Sequence, residues 1–175
     1  MVMEVVAYHE VGHALSAWNN GIPFRKDAPT IVSGDGYEGR LQIMLRGCHW
    51  DVDKSDRARV KMERFVQVCL AGPAAQRRFK PSSFRQKNGS EDYRMATNAI
   101  NYFVSSKEES DAYLKLLEIR TQQLFERPEK WAQVEALAVA LLERKTLSAD
   151  ETAEIIQTAF ARFVEGRLKT EPHDD

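Results

Sequence analysis

"AYHEVGHAL", Ala7–Leu15, is the stretch from which the rest of this chain is read. His9 and His13 stand four positions apart, with Glu10 directly after the first. The segment from Val2 to Asn19 has no proline and a single glycine, Gly12, and its pattern is helical; "NNGIP" (Asn19–Pro23) supplies the stop signal. On a helix, residues four apart differ by about 40° of rotation. Both imidazoles then leave one face and can share a metal ion. Glu10 lies about 100° from His9, poorly placed as a third ligand but well placed to reach a water on the metal. A zinc-bound water has a pKa of roughly 7, and a carboxylate beside it can take its proton; that is the mechanism carried by H-E-x-x-H. The opposing reading is two histidines on an ordinary polar helix face. Against it, half of the chain's 4 histidines fall in this one turn at ligand spacing. Gly12 costs roughly 1 kcal/mol relative to alanine within a helix, so another segment is expected to approach closely there.

The whole chain has 175 residues, 20.0 kDa and a net charge of -1, which suits one domain and gives no global field toward nucleic acid or membrane. Hydrophobic residues at 43% and charged residues at 29% indicate a soluble globular protein. Cys48 and Cys69 form no C-x-x-C pair and suggest no disulfide framework, so a reducing cytoplasm is the expected compartment. Neither a secretory signal nor a run of roughly 18 apolar residues is present. His9 lies so near the first residue that upstream sequence trimmed at a domain boundary is a natural expectation.

Beyond the first helix, "TIVSGDGYEGRLQIML" (Thr30–Leu45) changes character: two runs of β-formers flank a glycine-rich turn, which reads as a hairpin. Such a hairpin would either offer an open edge to an extended substrate or lie as a lid on the helices. Helical patterns follow: Asp53 to Phe79, with Val60, Phe65, Val68, Cys69 and Ala71 toward the core and a kink or break expected at Pro73; Ser90, as cap, to about Val104; about Glu108 to Glu126; and a helix opening at Pro128. The last of these carries Trp131, Val134, Leu137, Leu141 and Leu142, a stripe suited to core packing or to a subunit interface. Ser148 and Glu151 have capping-box spacing before a final helix to about Leu168. "KPSSFRQKNGS" (Lys80–Ser90) reads as a loop. The basic cluster Arg77, Arg78, Lys80, Arg85 and Lys87 around it reads as a solvated linker, without a nucleic-acid module.

A catalytic zinc site usually takes three protein ligands. Spacing leaves Cys48 and His49 open as candidates, and carboxylates are too numerous for composition to choose among them. "YHEVGHAL", "CLAGPAAQRRF" (Cys69–Phe79), "GSEDYRMATNAI" (Gly89–Ile100) and "ERKTLSADE" (Glu143–Glu151) occur in an order that resembles the FtsH-type peptidase domain, the M41 metallopeptidases. The resemblance implies a mainly helical zinc protease whose ligands are the two histidines and an aspartate early in a later helix, which falls on Asp92. A carboxylate at a helix start stays anionic and well hydrogen-bonded, in agreement. From spacing alone Asp92 reads equally as a helix-start charge, and Glu91 competes next door. Two departures stand out. Gln76 and Arg77 occupy positions where the family commonly has glutamates, removing possible polar support. The chain also holds no G-x-x-x-x-G-K-[ST] loop, so no ATP-driven unfolding is available from it.

The expectation is therefore a single mainly α domain of α+β class over residues 1–169, with one small antiparallel hairpin or sheet beside the zinc-motif helix and a disordered acidic tail at 170–175. Zn2+ would be held by His9, His13 and Asp92, with Glu10 as general base. The chain would be an ATP-independent endopeptidase acting on unfolded proteins or peptides. It would have no nucleic-acid partner and no membrane segment, and could form a homo-oligomer or work with an ATPase in trans. The rival reading is a catalytically degenerate M41-like module that binds peptides or proteins. A zinc hydrolase acting on a non-protein amide is a third.

Overall fold

A computed structural model describes residues 2–23, 29–32, 49–84 and 89–170. Its elements are α1 (Val2–Asn19), α2 (Asp56–Phe79), a 3₁₀ turn (Pro81–Ser83), α3 (Ser90–Ile100), α4 (Lys107–Glu126), α5 (Pro128–Arg144) and α6 (Ala149–Thr170). Local chemistry sets several of these boundaries. Gly21, at φ +64, ends α1 in a Schellman turn: its N–H donates to Trp18 O (3.1 Å) and that of Ile22 to Ala17 O (2.9 Å). Ser55 Oγ caps α2 by accepting from Ala58 N (3.2 Å), and Ser106 Oγ caps α4 by accepting from Glu109 N (3.1 Å). The capping box forms at α6, with Ser148 N donating to Glu151 Oε2 (2.8 Å) and Glu151 N to Ser148 Oγ (3.2 Å).

Helix α1 is buried continuously from Glu10 to Ala17, the condition of a helix enclosed on all sides. Val11 and Leu15 enter a core with Ala71 and Ala75 of α2, Leu137 and Leu141 of α5, and Ile156 of α6. The other side of α2 belongs to a second cluster, where Met62, Val66 and Leu70 meet Ala96 and Ile100 of α3 and Leu117 of α4. Helix α2 is thus the shared wall between the two cores, and it holds α1 on one side and α3 on the other. Val134, Leu137 and Leu141 are fully buried, so the stripe on α5 is core. No described helix is long and apolar enough to cross a membrane.

Several expectations are corrected. The described residues form a mainly α fold with no strand, so no hairpin or sheet stands beside α1 among them. Thr30 makes only an isolated antiparallel bridge, with Thr146. Ile31 N donates to Lys145 O (2.9 Å) and Leu147 N to Pro29 O (3.0 Å), so the link between α5 and α6 satisfies this backbone. Burial of Ile31 in the core beside Leu147 draws the segment there, away from the local partner suggested by its β-rich composition. The remainder of the expected hairpin, 33–45, lies outside the described residues. Pro73 neither ends nor splits α2. Val60 is exposed rather than core. Gly89, not Ser90, stands at the cap of α3, which ends at Ile100 instead of Val104. Helix α6 runs on to Thr170, and 171–175 lie outside the described residues.

Candidate metal centre

Close packing of α1 on α2 builds the centre. A Cβ on Gly12 would lie 2.6 Å from Ala71 O and 2.7 Å from Ala75 Cβ, so the helices meet at a distance only glycine permits. One residue further along each helix, a Cβ on Gly72 would lie 2.3 Å from His13 Nε2. Glycine at 72 therefore keeps the space beside this ring nitrogen open. The same row of α2 supplies the partners that orient both imidazoles: His13 Nδ1 lies 2.6 Å from Val68 O, and His9 Nδ1 lies 3.1 Å from Gln76 Oε1. A carbonyl oxygen can only accept, so both Nδ1 atoms carry hydrogen and both Nε2 atoms face inward.

Asp92, in the first turn of α3, closes the group. Its Oδ2 lies 3.2 Å from His9 Nε2, its Oδ1 lies 3.4 Å from His13 Nε2, and the two Nε2 atoms are 3.1 Å apart. One ligand atom from each of the three residues falls within 4.8 Å of the others. Tetrahedral zinc with bonds of about 2.0–2.1 Å separates its ligand atoms by about 3.3 Å, so the donors have the spacing such an ion requires. Two inward imidazole nitrogens and a carboxylate also form a donor set suited to zinc in chemical type.

The charges point the same way. Burial disfavours a charged His9, but its hydrogen bond to Asp92 and the charges of Glu10 and Asp92 outweigh this and raise its pKa. Burial dominates at His13, assisted by the neighbouring His9, and its pKa is lowered despite Asp92. For Asp92, burial opposes ionisation, yet His13 and His9 hold its carboxyl below the ordinary value. The cluster thus favours an anionic aspartate and makes His9 the more basic of the two imidazoles. A zinc ion held there would supply positive charge beside the same aspartate, and its binding would compete with protons for the imidazoles.

Glu10 is 5% exposed, buried on α1 next to His9. Glu91 is directed elsewhere: it is exposed and paired with Arg94, through Nε at 2.8 Å and Nη2 at 2.5 Å. His49 is exposed at a turn, where its carbonyl accepts from Val52 and Asp53, and it is not in the cluster. Cys48 and His173 lie outside the described residues.

The chain is 28% identical, over an alignment of 178 residues, to the ATP-dependent zinc metalloprotease FTSH 9, chloroplastic/mitochondrial, of Oryza sativa subsp. japonica. The alignment covers 87% of this chain and 22% of that relative, so the chain spans about a fifth of its length. This likeness supports a common origin with FtsH-type proteases. No family profile matches the chain.

Sequence reading missed the contribution of α2. Val68, Gly72 and Gln76 recur every four residues in "VCLAGPAAQ", one helix face, and that periodicity was the available signal. Gln76 and Arg77, read as lost polar support, are both engaged. Arg77 donates to the Tyr93 hydroxyl (3.3 Å) and to Glu118 Oε1 (3.4 Å), while Tyr93 donates to the same Glu118 oxygen (2.6 Å). This network ties the turn carrying Asp92 to α2 and α4. Arg78 sits over the Trp131 ring at 4.3 Å and donates to Phe125 O. Arg77 and Arg78 of this basic cluster therefore serve helix packing rather than a solvated linker; Arg85 and Lys87 lie outside the described residues.

Proposed function

We propose that this chain is a zinc metallopeptidase related to the FtsH type, hydrolysing peptide bonds in unfolded proteins or peptides. The observation that carries the reading is the convergence of His9 Nε2, His13 Nε2 and the Asp92 carboxylate at 3.1–3.4 Å. When bound, zinc supplies Lewis acidity, which acidifies water and polarises a peptide carbonyl. His9 and His13 direct their Nε2 lone pairs inward because their Nδ1–H groups are committed to Gln76 and Val68. Asp92 provides the anionic third ligand from a separate helix. The carboxylate of Glu10 acts as general base, taking the proton of the attacking water and later delivering it to the departing amine. Burial excludes bulk water from that carboxylate, which favours proton transfer over simple solvation.

Hydrolysis by this chain is assigned no ATP requirement, because its sequence carries no phosphate-binding loop. An ATPase acting with it would deliver substrate rather than take part in bond cleavage.

The decisive comparison is metal content and turnover of an unfolded protein substrate by the wild type, Glu10→Gln, Asp92→Ala and Glu91→Ala. Glu10→Gln should retain zinc and lose hydrolysis by about 10²–10⁴-fold, the usual contribution of a general base. Asp92→Ala should lose zinc, and Glu91→Ala should keep it. Zinc binding by the wild type without turnover would instead establish the rival reading, a peptide- or protein-binding module.

A further inference from the structure

Gln76 is 2% exposed, and its amide is held at both ends. Nε2 lies 3.4 Å from Ser83 O, in the 3₁₀ turn after α2, and Oε1 lies 3.1 Å from His9 Nδ1. Ser83 O can only accept, so the amide nitrogen must face it and the amide oxygen must face the histidine. The orientation of Gln76 thus follows from main-chain chemistry rather than from His9 itself. A flipped amide would set a donor against His9 Nδ1–H and an acceptor against a carbonyl.

We infer that Gln76 is a positioning residue for the metal centre, whose neutral carbonyl fixes His9 for coordination through Nε2 and sets a lower zinc affinity than a carboxylate would give. The inference rests on the zinc reading for its metal consequence, while the hydrogen bond belongs to the metal-free protein as well. A hydrogen-bond acceptor behind a ligating imidazole orients the ring and raises its basicity; a carboxylate does so more strongly than an amide. His13, held by a backbone carbonyl, cannot be tuned by a side-chain substitution in this way. His9 is therefore the imidazole whose ligand strength is set by a replaceable side chain.

The test uses the full chain with Gln76→Met, similar in length without an acceptor of comparable strength, and Gln76→Glu. Zinc affinity is measured by competition with a fluorescent chelator. Gln76→Met should bind zinc about 10–100-fold more weakly, the usual cost of losing such a partner, and Gln76→Glu should bind at least as tightly as wild type. In parallel, nitrogen-resolved NMR of the metal-free protein at mildly acidic pH follows the His9 Nδ1 proton. It should exchange slowly in the wild type and Gln76→Glu, and rapidly in Gln76→Met. An Nδ1 proton equally protected in Gln76→Met, or a Gln76→Glu variant weaker than wild type while still folded, would overturn the inference. A wild type that binds no zinc would overturn the proposed function and the affinity part of this inference, and the NMR comparison would still decide whether Gln76 holds His9.

Discussion

At Gly72, a single hydrogen atom leaves room for His13. The nearest atoms to an added Cβ are three atoms of one buried imidazole, at 2.3–2.8 Å, so the ring must move if the methyl is to stay. Gly72→Ala is expected to lower zinc affinity by at least about tenfold, since outer contacts that orient a ligand typically carry 10–100-fold. Chelator competition measures this; unchanged affinity in a folded Gly72→Ala protein would show that His13 has freedom the packing does not suggest. Gly12 presents a different obstacle, because its added Cβ meets Ala71 O, a main-chain atom that cannot swing away. Gly12→Ala should therefore cost general stability, about 1–3 kcal/mol as for other overpacked interiors, read from urea unfolding of the metal-free protein. These two glycines separate the requirements of the site from those of the fold.

Among the helices, α3 is the element whose position matters most for the site, because it brings Asp92 to the histidines of α1. It is short, and its first turn is held through Tyr93 by Arg77 of α2 and Glu118 of α4. Burial alone would raise the Glu118 pKa, but the hydrogen bonds from Tyr93 and Lys115, the Lys115 charge and the Arg77 hydrogen bond hold it below the ordinary value. A carboxylate with a lowered folded pKa stabilises the protein above its unfolded pKa, and that contribution fades as pH falls through the folded value. Glu118→Gln should accordingly lower stability at neutral pH and flatten its decline on the acid side. Urea unfolding across a pH series tests this; parallel acid limbs in the wild type and Glu118→Gln would remove the carboxylate from the account.

Across the molecule, the proposed zinc would join α1 to α3, the two helices whose ligand side chains meet beside α2. An ion that binds only the folded arrangement adds about 2.7 kcal/mol of stability at a free concentration of 100 Kd. Calorimetric melting with and without added zinc should show a raised midpoint for the wild type and none for Asp92→Ala. Equal shifts in both proteins would mean that zinc binds elsewhere. The exposed Phe160, Val164 and Leu168 on the last turns of α6 take no part in this centre.

Local signals were legible where local chemistry decides the outcome. The bounds of α1, its stop at "NNGIP", the capping box at Ser148 and Glu151, and the shared face of His9 and His13 all depend on residues within a few positions of one another. Asp92 could be carried over by resemblance, but spacing alone left it level with a helix-start charge and beside Glu91. Only packing in three dimensions turns Asp92 toward the imidazoles and leaves Glu91 with Arg94. The roles of Gln76, Gly72 and Val68 were equally hidden, because they arise where α2 crosses α1 at glycine distance. The β-rich start at Thr30 misled for the same reason: its backbone partners lie beyond α5, and the burial of Ile31, not local β-propensity, chooses them. Hydrogen bonds and turns of short range can be read along a chain; which faces meet depends on the whole set of apolar surfaces buried together.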